Sequence, residues 1–152
     1  MNLFEETKFI MKKYNISANK NLGQNFLIDK NAVDEIILSS NITSSDLVIE
    51  IGPGMGALTT ELVKKAKNVL CYEIDTTLKP ILSEINASNL EIIYEDFLKR
   101  DVKEDLKKYH CKKIHLVANL PYYITTPILI KVLEEQLDVD KIVVMVQKEV
   151  GD

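Results

Sequence analysis

The chain has 152 residues, 46% hydrophobic and 28% charged, with a formal net charge of −4, a composition that fits one globular domain and excludes collagen-like, low-complexity and disordered chains. Two lone cysteines, Cys71 and Cys111, fit a reducing cytoplasm rather than a disulfide framework, and with no CxxC or His/Cys cluster no metal site is expected. The longest apolar run, Ile142 to Val146, falls far short of the roughly 20 residues of a membrane helix, and the opening MNLFEETKFIMKK lacks the apolar stretch of a secretory signal.

Residues 1–46 differ in character from the rest and form a first unit. A Lys-dotted helix pattern covers residues 4–14, a polar stretch runs from Asn15 to Asn25, and a second helix follows. Residues 1–30 hold five Lys against three acids, whereas residues 31–152 hold 14 Lys and Arg against 20 acids. The start of the chain thus reads as a basic arm able to meet phosphate or, equally, as a solvated amphipathic helix.

Residues 47–152 read as a second unit, in which short apolar runs alternate with helical patterns. This is the signature of βαβ units and an α/β, mainly parallel, doubly wound sheet. The strands are Leu47–Ile51, Val69–Glu73, Leu90–Tyr94, Ile114–Ala118 and Lys141–Val146. Leu78, Ile81, Leu82 and Ile85 have the spacing of a helix laying one stripe on the sheet. Thr125-Thr126-Pro127 reads as a helix start, with Thr as cap and Pro at the first helical position. The chain stops just past its fifth strand, an apolar edge that is rarely left unpaired, and is expected to be truncated there.

Three of the five glycines lie in Glu50-Ile51-Gly52-Pro53-Gly54-Met55-Gly56, between the first strand and the next helix. Glycines there permit positive φ and close approach of a ligand, and the N–H groups of the helix start favour a carboxylate or phosphate. The spacing is G-x-G-x-G, whereas a dinucleotide site has G-x-G-x-x-G. This favours S-adenosylmethionine over a dinucleotide, with a ligand-free tight turn as the plain reading.

Glu73, at the tip of the second strand, is placed to accept from both ribose hydroxyls of an adenosine-bearing cofactor. In Glu95-Asp96-Phe97, just past the third strand, an acid is placed to accept from the adenine amino group, with an aromatic or aliphatic neighbour to cover the ring. A solvent-facing carboxylate and a turn residue are the ordinary readings of the two. Asn119-Leu120-Pro121-Tyr122 ends the fourth strand, which in a doubly wound sheet lies beside the first, so this loop faces the glycine loop at the switch point. An exocyclic adenine amine is a poor nucleophile until acceptors draw its nitrogen toward tetrahedral geometry. The Asn119 side-chain oxygen and the Leu120 carbonyl can each accept one N–H; Pro121 stiffens the loop, and Tyr122 offers a stacking face that also stabilises developing positive charge. His110 and His115 flank the other end of that strand as structural or surface residues.

Together with Gly23-Gln24-Asn25-Phe26-Leu27, Thr125-Thr126-Pro127 and Met145-Val146-Gln147-Lys148-Glu149-Val150, these motifs resemble in order and spacing the ribosomal RNA adenine N6-dimethyltransferases, over residues 20–150. The resemblance implies a Rossmann-like S-adenosylmethionine-dependent methyltransferase fold, here lacking its last strands and C-terminal helical domain. It further implies that Asn25 and Leu27 close over the cofactor, that Gly52 touches its methionine part, Glu73 its ribose and Asp96 its adenine, with Gly54 also in the cofactor site, and that Asn119 serves both cofactor and target base. Gly-Gln-Asn-Phe-Leu and Thr-Thr-Pro look more like the branch that dimethylates two adjacent adenosines near the 3′ end of 16S rRNA. The implied partner is small-subunit rRNA or the pre-30S particle, met by a cytoplasmic monomer. The alternatives are a resistance-type 23S rRNA adenine methyltransferase, an assembly factor whose binding matters more than catalysis and, more remotely, a dehydrogenase. Because the absent half of the family carries the second aromatic for the target adenine, the chain is expected to bind cofactor yet methylate poorly.

Overall fold

A computed structural model describes residues 17–19, 24–26 and 30–147. Strands β1 (Ser17–Asn19) and β2 (Gln24–Phe26) pair antiparallel, Ser17 opposite Phe26. Helix α1 (Lys30–Ser40) follows, then β3 (Leu47–Ile51), α2 (Ala57–Lys65), β4 (Asn68–Tyr72), the short α3 (Lys79–Leu82), β5 (Leu90–Ile93), α4 (Val102–Leu106), β6 (Ile114–Pro121), α5 (Tyr122–Glu134) and β7 (Lys141–Gln147). The main sheet has the order β5-β4-β3-β6-β7, every neighbouring pair parallel.

Period-two alternation explains both layers of the core. Leu47, Ile49, Ile51, Leu70, Tyr72, Leu116 and Ala118 face one side, under Phe97, Val102, Ile128 and Val132. Val48, Val69, Cys71, Val117 and Val143 face the other, under Val33 and Ile36 of α1 and Leu58 and Leu62 of α2. Each such buried Leu, Ile or Val side chain contributes about 1.5–3 kcal/mol relative to exposure. The five expected strands are all present, and the parallel, doubly wound reading holds. Among the described residues no helix is long and apolar enough to cross a membrane.

Three local expectations need correction. The stripe Leu78–Ile85 is a 3₁₀ turn (Thr76–Leu78) followed by the single turn of α3 rather than a full helix: Leu78 and Leu82 are buried, but Ile81 is 39% exposed. The run Ser83–Asn89 that follows is rich in Ser and Asn, whose side chains compete with the helical backbone. Helix α5 begins at Tyr122, not near Thr126, so Pro127 lies inside it. The reason is that β6 continues through Asn119, Leu120 and Pro121, opposite Met145, Val146 and Gln147, and the chain turns directly from strand to helix. Pro127 therefore gives up the hydrogen bond that its N–H would make to the Tyr123 carbonyl. Thirdly, Glu73 stands one residue past β4. The polar stretch near residue 20 carries the unanticipated β1–β2 ladder, whose second strand runs beside β6. The helix expected at residues 4–14 lies outside the described residues.

Candidate functional site

The carboxyl ends of β3, β4, β5 and β6 converge on one cleft, lined among others by Gly52, Glu73, Ile74, Asp96, Leu98 and Leu120. Ile51 pairs with Ala118 across parallel β3 and β6, so the next residues of each chain, Gly52 and Asn119, emerge side by side about one strand spacing, roughly 4.8 Å, apart. The two motifs that the sequence placed at the switch point do meet there.

Between β3 and α2 the chain turns through three left-handed glycines, Gly52, Gly54 and Gly56, with φ of 74°, 59° and 89°. Gly56 has a second constraint, since a Cβ there would stand 2.7 Å from Ile85 Cδ1 and 3.2 Å from Leu82 Cδ2. The third glycine is thus set by helix packing, and the first two lie nearer the cleft. The Gly54 N–H donates to Glu73 Oε1 at 3.1 Å, and the Asp75 N–H donates to Glu73 Oε2 at 3.0 Å. Glu73 is 2% exposed, and burial pushes its carboxyl above the ordinary range against the pull of these bonds. The carboxylate also keeps acceptor capacity for a hydroxyl donor.

Asp96 Oδ1 accepts from the Leu98 N–H at 2.9 Å, capping the 3₁₀ turn Phe97–Lys99, so its turn role is real and coexists with its place on the cleft wall. Phe97 is buried, edge-on to Tyr72 with ring centroids 5.3 Å apart. The exposed apolar plates are instead Ile74 and Leu98, each next in sequence or nearly so to an acid that the sequence singled out. Phe97 lines the cleft too, so the aromatic or aliphatic neighbour expected beside the acids has three candidates there, Phe97, Ile74 and Leu98.

The wall bearing Leu98 is braced from behind. Lys131 of α5 is 8% exposed, and its Nζ donates to the carbonyls of Leu98 at 3.2 Å and Arg100 at 2.7 Å, beside Glu135 at 3.1 Å. Arg100 forks onto both oxygens of Asp105 at 2.9 Å, and the Tyr72 hydroxyl donates to the same carboxylate at 2.9 Å.

Beneath the glycine loop lies Glu50, which sequence reasoning passed over. It is 1% exposed, its Oε1 accepts from the Thr59 hydroxyl at 2.5 Å and from the Cys71 thiol at 3.6 Å, and burial raises its pKa to about 7. No pattern announces it, because a single acid in a strand of apolar residues reads as a strand-edge group. Burial also pushes the Cys71 thiol well up, which leaves it unreactive.

Leu120 is buried and lines the cleft. Asn25, Asn119, Pro121 and Tyr122 are placed by their backbones alone, in β2, β6 and the first residue of α5; Leu27 lies outside the described residues. His115 is buried against Asp46 and His110 is exposed, both at the far end of β6, as expected.

A family model of ribosomal RNA adenine dimethylases matches residues 15–152. The chain belongs to that family. A dimethylase-family relative, the ribosomal RNA small subunit methyltransferase A of Bacillus pumilus, is 52% identical over 150 residues, 96% of this chain and 51% of its own length. The Clostridioides difficile protein of the same name is 51% identical over 96% of this chain. The chain spans about half the length of these curated relatives. Among solved structures, a dimethyladenosine transferase from Plasmodium falciparum is similar with a TM-score of 0.59 and 32% identity over 75% of this chain and 40% of that one.

Proposed function

We propose that this dimethylase-family chain carries the cofactor site and target loop of an enzyme that uses S-adenosylmethionine to N6,N6-dimethylate two adjacent adenosines near the 3′ end of 16S rRNA. On this reading it acts in the cytoplasm as a metal-free monomer on small-subunit particles, with residues 1–46 as an arm over the site and 47–152 as the core. The observation that carries it is the side-by-side emergence of Gly52 and Asn119 from the paired strands β3 and β6. The name shared by relatives about half identical over nearly the whole chain favours the small-subunit branch.

The residues present fit the cofactor. Glycines leave the loop without side chains, Glu73 offers acceptor capacity at the cleft floor, and Ile74 and Leu98 present apolar faces for a flat base. When bound, S-adenosylmethionine supplies an electrophilic methyl group. Gly52 would touch its methionine part, with Gly54 also in the site, Glu73 would hold its ribose and Asp96 its adenine amine, and Asn25 and Leu27 would close over it. Asn119 and the Leu120 carbonyl accept the two N–H bonds of the target amine, which turns its lone pair outward; Pro121 holds the loop and Tyr122 stacks on the flipped base. No tuned base is required, since the product's surplus proton can pass to water.

The test is transfer of labelled methyl groups to undermethylated small subunits, with the RNA digested to nucleosides, this chain run beside the longer Bacillus pumilus relative. Cofactor binding by both, and dimethyladenosine in 16S RNA from the longer chain that disappears on the substitution matching Asn119→Ala, is the expected result. Label in 23S RNA alone, or no cofactor binding by this chain, would overturn the assignment.

A further inference from the structure

The opposite edge of the sheet, where the strands begin, has a chemistry of its own. Leu47 pairs with Asn68 on one side and Ile114 on the other. Lys67 and Lys113, each one residue earlier, therefore stand about two strand spacings, roughly 10 Å, apart along this edge. The Lys112 N–H donates to the Ser45 carbonyl at 2.8 Å, and Lys141 opens β7 opposite His115. Lys67 Nζ donates to the His110 carbonyl at 2.5 Å, which holds the end of α2 against the 107–113 loop.

The lysines here divide into two groups. Lys64, Lys107 and Lys108 are paired with Glu61, Glu104 and Glu91. Among the described residues Lys67, Lys112 and Lys113 have no carboxylate partner. Between Lys112, Lys113 and Lys141 opens a basin lined only by polar and charged side chains. Its floor is the buried pair His115 Nε2 and Asp46 Oδ2, 2.9 Å apart, while Asp46 Oδ1 and His115 Nδ1, both shielded from water, have no partner. Of the basin's acids, Asp46 is buried, its Oδ2 also accepting from the Thr43 N–H, while Asp140 is exposed and accepts from the Ile114 N–H through Oδ2. Lys141 Nζ donates to the Ser39 carbonyl at 2.9 Å, so exposed Lys112 and Lys113 against exposed Asp140 leave the rim net positive, in a chain whose overall charge is −4.

We propose that this edge is a second contact for RNA backbone phosphates, separate from the cleft; the inference rests on the rRNA reading above. The ammonium groups of exposed Lys112 and Lys113, without a carboxylate partner among the described residues, suit phosphate oxygens and carry no base preference. The basin offers none of the aromatic or aliphatic anchors that dominate protein–protein contacts. Five residues of β3 separate the two edges by roughly 17 Å. An RNA engaging both must reach around the sheet, so the edge would favour a longer RNA over a short strand bearing only the target adenosines.

Binding of the chain to a transcript of the 3′ domain of 16S rRNA, followed across a salt series, tests this. Lys112→Glu with Lys113→Glu should weaken binding roughly tenfold and flatten the slope of log affinity against log salt by about 2. Lys79→Glu with Lys103→Glu makes the same change in net charge elsewhere and should shift affinity by less than about twofold. S-adenosylhomocysteine binding should match wild type in both pairs, which shows that both fold. Equal losses in the two pairs, no loss in the first, or no RNA binding by the wild-type chain at low salt would overturn the contact. The methyl-transfer reading stands or falls separately on Asn119→Ala.

Discussion

The two edges of the central sheet are built from the same five strands and do opposite things with polar groups. At the carboxyl edge the backbone is the recognising surface: left-handed glycines expose it, and one buried carboxylate, Glu73, holds the loop through the Gly54 N–H. At the amino edge the backbone is consumed by its own ladders, and long charged side chains form the surface around a sealed Asp46–His115 pair. A parallel sheet imposes this asymmetry, since loops entering helices leave N–H groups open at one end only. The lesson is that precision lies at one edge and charge at the other.

The contrast can be broken at several points. The largest expected effect is on catalysis: in the longer Bacillus pumilus relative the substitution matching Asn119→Ala should lower methyl transfer at least about a hundredfold with the fold intact, as removal of one aimed polar group does in comparable sites; circular dichroism beside the transfer assay checks both halves. Gly56→Ala should cost about 2–3 kcal/mol in urea unfolding, because it adds a left-handed strain to a contact at 2.7 Å.

Glu50 gives a pH signature of similar size. Its folded-state pKa of about 7 lies above the ordinary 4.5, so folding takes up a proton between those values and stability falls as pH rises through that window, by about 3 kcal/mol. Glu50→Gln, which can still accept from Thr59, should remove that slope from unfolding curves measured at a series of pH values. Glu73→Gln must turn its NH₂ toward one of the two backbone donors, and roughly tenfold weaker S-adenosylhomocysteine binding by calorimetry is the expected result. The smallest effect sharpens the comparison from the other side. Asp46→Asn should cost about 1 kcal/mol of stability and leave cofactor affinity unchanged; a parallel fall in affinity would show that the edges are not independent.

Much of this was legible in the sequence because it depends on local rules. Apolar β-branched runs gave the strands, and the crowding of Gly52, Gly54 and Gly56 gave the turn. The adjacency of Gly52 and Asn119 followed from the strand order that doubly wound sheets adopt. What escaped notice depends on tertiary context. Glu50 is special only because Thr59 and Cys71 close around it, 9 and 21 residues away. The helix expected around Leu78–Ile85 shrank because a run of Ser and Asn outweighed a correct apolar spacing. Thr125-Thr126-Pro127 carried the right cap chemistry, but the pairing of β6 with β7 ran on to Pro121 and left no loop for a cap to end.

Lys131 joins two parts of the molecule that are distant in sequence. Its buried ammonium clasps the carbonyls of Leu98 and Arg100, and hydrogen bonds to a charged group contribute about 1.5–3 kcal/mol each. Helix α5 and the turn after β5 are thereby riveted into a single jaw. That jaw forms one wall of the cleft, tied to the core through α5, while the half-exposed Ile74 lines the cleft without such a clasp.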